Sequence, residues 1–120
     1  MGLIVIPGRF PGLNEFIDAN RRKRGKYSPG NQMKQRDQRR ISQYLPKVKY
    51  KRVFIEFTFF ASDRKHDPDN ICGYFHKVFM DALVQAGILE NDGWKQIKGM
   101  TDYFEVDREY PRIEVRIKEV

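Results

Sequence analysis

One cysteine, one tryptophan and two histidines are all that 120 residues hold of these types. A single thiol, Cys72, excludes an internal disulfide, and no cluster of Cys and His has zinc-finger spacing. That usage suits a reducing, cytoplasmic compartment. Long apolar runs are missing as well. The opening Leu3-Ile4-Val5-Ile6 stops at Pro7-Gly8, far short of the roughly 20 residues that cross a bilayer and of a secretory signal. The expectation is a soluble chain with no membrane attachment. Neither an internal repeat nor a low-complexity linker divides it, so residues 1–120 read as a single domain with room for one modest core. A core of that size would gain from covering a face with a second copy, which makes a homodimer plausible.

Acidic residues are scarce where basic ones are dense. From Arg21 to Arg52 the chain carries thirteen Lys or Arg against one acid, Asp37, an excess larger than the +7 of the whole protein. Within this region Asn31 to Leu45 reads as a polar helix ending before Pro46, a basic and solvated arm. The remainder has the patterns of a core. Leu3 to Ile6 is a short strand, and Asn14 is placed to cap a helix carrying Phe16 and Ile17. Val53 to Phe60 alternates with apolar residues on both faces, as a central strand does. Asn70 to Ala86 repeats apolar residues at helical spacing, with Gly87 at the position of a left-handed C-cap. Ile97 to Val106 and Arg112 to Val120 read as a closing hairpin. The fold class is α+β: a mixed or antiparallel sheet with a core helix packed on it and a basic helical arm.

Against this basic background the acids of "HDPDNICGYFHKVFMDALVQAGILENDGW" stand out. Asp67 before Pro68 makes a good N-cap, and Asp69 in the first turn suits the helix dipole. The same two carboxylates at a strand-to-helix junction also match the hard oxygen ligands that Mg²⁺ prefers. Asp92 is the candidate third ligand, although a helix of this length separates its ends by about 24 Å, at ~1.5 Å per residue. The strand after Asp92 must therefore run back beside the helix, or partial unwinding near Gly73 must shorten it. Lys77 and Asp81 lie four apart, as a surface ion pair does. A lysine leaning toward the helix N-terminus is also positioned to neutralise a phosphate.

The run Asp67-Pro68-Asp69-Asn70, Lys77 four before Asp81-Ala82-Leu83, the Ala86-Gly87 ending and Asp92 resemble the RusA family of Holliday junction resolvases. Pro7-Gly8 followed by Leu13-Asn14-Glu15 is similar to the family's N-terminal segment, so the likeness extends over nearly the whole chain. The resemblance implies a Mg²⁺-dependent homodimeric endodeoxyribonuclease of bacterial or phage origin that resolves four-way DNA junctions by paired nicks in recombination and repair. It implies metal-binding, catalytic roles for Asp67, Asp69 and Asp92, with Lys77 assisting. One departure is that better-known members carry the lysine four residues after the second aspartate, where this chain has Gly73. Matching from Asp81-Ala82-Leu83 selects Lys77 instead, about one helical turn further on. His66 is a further candidate acid or base.

In this reading the basic region holds DNA phosphates through Arg21, Arg22, Lys23, Arg24, Lys26, Lys34, Arg36, Arg39 and Arg40, which supply affinity without sequence information. Two other readings stay open on the residues alone. One is a non-catalytic nucleic-acid-binding module in which Tyr27, Tyr44 or Tyr50 stacks on bases. The other is a nuclease for other branched DNA or for RNA.

Overall fold

Val53, Ile55, Phe57 and Phe59 alternate with Phe54, Glu56, Thr58 and Phe60, a run that reads as a central strand, one with neighbours on both edges. The computed structural model, which describes residues 2–120, supplies them. In chain order the elements are β1 (Gly2–Pro7), α1 (Leu13–Arg21), α2 (Pro29–Ser42), β2 (Val53–Ala61), α3 (Pro68–Gln85), β3 (Ile97–Val106) and β4 (Arg112–Glu119). The sheet order is β1-β4-β2-β3. β2 runs antiparallel to β4, with Phe57 opposite Val115. It runs parallel to β3, with Phe57 beside Asp102. Parallel neighbours require a crossover, and α3 is that crossover.

The architecture is the expected α+β domain with a mixed sheet, but one connection differs. β3 and β4 are not a hairpin, because β2 lies between them. The turn residues Tyr110-Pro111 separate the two strands without pairing them. β2 is central because it takes both strands as its partners.

One face of the sheet is buried under α3. Phe57 packs edge-on against Phe75 and Phe79 at ring-centroid distances of 6.0 and 5.5 Å, and Phe59 meets Phe75 at 5.7 Å. Phe104 stacks on Phe59 at 5.4 Å and ties β3 into the same cluster. Ile4, Ile6, Ile113, Val115 and Ile117 complete the buried sheet face. Such aromatic pairs add about 0.5–1.5 kcal/mol each beyond their area burial. α3 stops where expected. Gly87 has φ +76°. The N–H of Ile88 reaches the Leu83 carbonyl and that of Gly87 reaches Val84, both at 3.0 Å, which is a Schellman closure.

α1 and α2 pack against each other and against α3. Gly12, not Asn14, occupies the N-cap of α1. The capping oxygen comes from another helix: the Asn14 N–H donates to Asn70 Oδ1 at 2.8 Å. The basic helix α2 is more than a solvated arm. It buries Gly30, Asp37 and Ile41, and Arg40 donates to the Pro7 and Arg9 carbonyls at 2.7 and 2.8 Å while covering the Phe10 ring. Gly8 (φ +89°) permits this, since a Cβ there would lie 2.7 Å from the Arg40 guanidinium.

Asp37 is the buried charged residue of the core region, 1% exposed. It accepts from Tyr74 Oη at 2.7 Å and from both arms of Arg36 at 3.2 Å. Burial, and then the Asp37 bond, push the Tyr74 hydroxyl far above its ordinary pKa, so it remains the donor. Removing one bond to a buried charge costs about 1.5–3 kcal/mol. Tyr74→Phe is therefore expected to lower the unfolding free energy by that amount in urea titrations at unchanged slope. A loss under about 0.5 kcal/mol would mean that Arg36 alone satisfies Asp37.

Candidate active site on the flank of α3

Asp67 stands at the N-cap of α3 with Pro68 at the first helical position, yet its side chain makes no capping hydrogen bond. The cap explanation for this aspartate therefore loses its usual bond. Asp69 follows in the first turn, and both carboxylates are exposed. The neighbouring Asn70 has a different task, since its side chain holds the start of α1 against α3. The four-residue run thus divides into two solvent-facing acids and one structural clamp.

The chain beyond α3 does turn back. Ile88 and Leu89 are buried against the core. The Gln96 and Ile97 N–H groups both close on the Gly93 carbonyl, at 3.1 and 3.0 Å. This places Asp92 beside the middle of the helix: Gly73, His76, Lys77, Met80, Asp92, Trp94 and others line one cavity of about 620 Å³. Lys77 and Asp92 thereby line the same cavity. Asp67 and Asp69 are not part of that lining and sit one to two turns nearer the helix start. The end-to-end separation of about 24 Å shrinks to roughly 6–12 Å along the axis, the rise from Asp69 to Gly73 or Lys77.

Four residues after Asp69, Gly73 packs beside α1: a Cβ there would lie 3.1 Å from Leu13 Cδ2, so a side chain would need Leu13 to yield by a few tenths of an ångström. Lys77, one turn on, is exposed on the open side of the same cavity. Nor does it pair with Asp81, whose carboxylate is 3.2 Å from Lys34 Nζ. Among the described residues Lys77 is in no ion pair, and neither are Asp67, Asp69 and Asp92. His66 lies on a separate cavity of about 320 Å³ with Arg9, Lys65 and Asn70.

Two features of the region are missed by reading the chain as a string. Trp94, next to the Asp92 turn, is 97% exposed. The lone cysteine also has company after all. Among the described residues, Cys72, His76 and Asp102 bring ligand atoms within 4.8 Å of one another, with His76 Nε2 hydrogen-bonded to Asp102 Oδ1 at 2.6 Å. The i, i+4 spacing of Cys72 and His76 was visible in sequence; the arrival of Asp102 from β3 was not. Burial, and then the nearby Asp102 carboxylate, hold the Cys72 thiol above its ordinary pKa.

The basic residues separate into two groups. Arg40, Lys34 and Arg36 have partners within the fold, as described. Arg21, Arg22, Lys23, Arg24, Lys26 and Arg39 are exposed. The first five follow or end α1, where Arg24 and Tyr27 exchange backbone bonds of 2.9 and 2.8 Å around Gly25. That tight turn displays several cations on a short segment.

No curated protein sequence matches the chain. A family model does, over residues 21–118, and its description is Endodeoxyribonuclease RusA. The match spans both the basic segment and the flank of α3 that carries the acids and Lys77. No helix among the described residues is long and apolar enough to cross a membrane. On a match of this extent, the chain belongs to the RusA endodeoxyribonuclease family.

Proposed function

We propose that the protein is a Mg²⁺-dependent resolvase that cuts four-way Holliday junctions by paired symmetric nicks, acting as a homodimer in DNA recombination and repair in the cytoplasm. The observation that carries this reading is the placement of unpaired Asp67 and Asp69 at the start of α3, with Asp92 and Lys77 on one cavity along the same helix. Exposed carboxylates with free lone pairs fit a hard cation that keeps several of its waters. Asp67, Asp69 and Asp92 would hold Mg²⁺, which when bound supplies a nucleophilic water at neutral pH and charge stabilisation for a phosphodiester. Lys77 neutralises phosphate charge from its own side of the cavity. Trp94 offers a bare aromatic face beside Asp92, suited to stacking on a base unpaired at the crossover. Two copies related by a two-fold axis match a junction's symmetry and provide one site per cut strand.

Cap and ligand roles for Asp67 diverge under substitution. A working N-cap loses about 1 kcal/mol on conversion to alanine. With no capping bond to lose, Asp67→Ala is expected to cost less than about 0.5 kcal/mol by urea titration. Asp67→Asn, Asp69→Asn and Asp92→Asn should each fold, bind a synthetic four-way junction and lose cleavage in Mg²⁺ by at least ~100-fold, with Lys77→Ala slowed as well. Wild-type cleavage rates in the asparagine variants at Asp67 and Asp69 would remove these acids from the site.

The exposed cations account for DNA affinity. Replacing Arg21, Arg22, Lys23, Arg24, Lys26 and Arg39 by glutamine should weaken junction binding and flatten the slope of log affinity against log salt by up to about 5, near 0.9 per phosphate contact. Fold stability should change little, because solvated charges contribute little to it. An unchanged slope would put the DNA surface elsewhere.

A further inference from the structure

We propose that Cys72, His76 and Asp102 form a site for a zinc-type divalent ion that pins β3 to α3, separate from the aspartates of the proposed nuclease site. Cys72 and His76 stand one turn apart on one face of α3. Asp102 reaches them because β3 lies parallel to β2, with Asp102 level with Phe57. The three ligand atoms already lie within 4.8 Å of one another. Tetrahedral ligands at about 2.0–2.3 Å from a metal are separated from each other by about 3.3–3.6 Å. Small side-chain rotations close the wider gaps and open the 2.6 Å His76–Asp102 contact.

The donor set selects the metal. A thiolate and an imidazole favour Zn²⁺ or Co²⁺, whereas Mg²⁺ prefers oxygen alone. The imidazole is held in place by aromatic contacts, with Phe57 at 4.8 Å and Phe59 at 6.3 Å between ring centroids. His76 and Asp102 side chains are about three-quarters buried, at 24% and 25% exposure. His76 also borders the cavity that holds Lys77 and Asp92, so a fourth ligand position can open toward solvent. Binding releases the Cys72 proton to water and replaces the His76–Asp102 hydrogen bond, leaving the ring proton on Nδ1. The gain for the fold is specific. β3 is an edge strand hydrogen-bonded to β2 alone, and a bridging ion adds a second attachment, to α3.

The test is a Co²⁺ titration of the reduced, metal-free full chain without DNA, followed by thermal unfolding with and without Zn²⁺. The expected result is one Co²⁺ per chain with a thiolate-to-cobalt charge-transfer absorption, displaced by Zn²⁺ but not by excess Mg²⁺. Cys72→Ser should abolish the absorption. His76→Gln and Asp102→Asn should each weaken binding at least ~10-fold. Zn²⁺ should raise the unfolding temperature of the wild type and not of Cys72→Ser. Asp67→Asn and Asp92→Asn should retain the absorption. Absence of the absorption in the wild type, equal affinity in Cys72→Ser and His76→Gln, or loss of binding only in the Asp67 and Asp92 variants would overturn the proposal. Because no cleavage is measured, the outcome is independent of whether the junction-cutting reading holds.

Discussion

The packing of α3 on the β2–β3 pair is the constraint from which the rest of the molecule follows. Phe75 and Phe79 seat the helix on Phe57 and Phe59, and Phe104 fastens β3 to the same cluster. Because β2 and β3 are parallel, the helix between them must run back against both. Its start then lies near the end of β2, where Asp67 and Asp69 emerge. Its flank meets the returning chain at Asp92, and β3 delivers Asp102 to His76. A single crossover thus brings together residues up to 30 positions apart in the chain, from Cys72 to Asp102.

Charge is distributed by the same economy. The buried Asp37 is satisfied by Tyr74 and Arg36, and Arg40 braces the turn after β1. These residues make the basic helix part of the core. Five exposed cations, Arg21, Arg22, Lys23, Arg24 and Lys26, stand at the end of α1 and in the turn after it, while the unpaired acids Asp67 and Asp69 lie at the start of α3. An endodeoxyribonuclease needs both: positive charge to hold a polyanion, and carboxylates that are not already neutralised by that charge.

Elements were legible from the chain, and their partners were less so. Alternation in Val53 to Phe60, helical spacing in Asn70 to Ala86 and Gly87 as the terminator all correspond to observed elements, since each is a local consequence of which side chains must be buried. The supposed hairpin of β3 and β4 failed because pairing is not local. Nothing in β2 spoke against it, since a central strand requires a neighbour on each edge and does not say which. Capping of α1 from Asn70, 56 residues away, leaves no trace in the residues around Gly12. Likewise the packing of Leu13 of α1 against Gly73 leaves no local trace. For the site, residue types and spacing identified Asp67, Asp69, Lys77 and Asp92 as candidates. Their relation in space, and the cluster around Cys72, depend on how the chain returns after α3.

The central claim, that this fold acts on branched DNA with two coordinated sites, is tested most directly by mapping the products at nucleotide resolution. A synthetic four-way junction, each strand end-labelled in turn, is incubated with purified protein and Mg²⁺ beside a linear duplex of the same sequence. The predicted result is nicks at symmetry-related positions on two opposing strands and an intact linear duplex. Nicks scattered over all four strands, or equal cutting of the linear duplex, would contradict it.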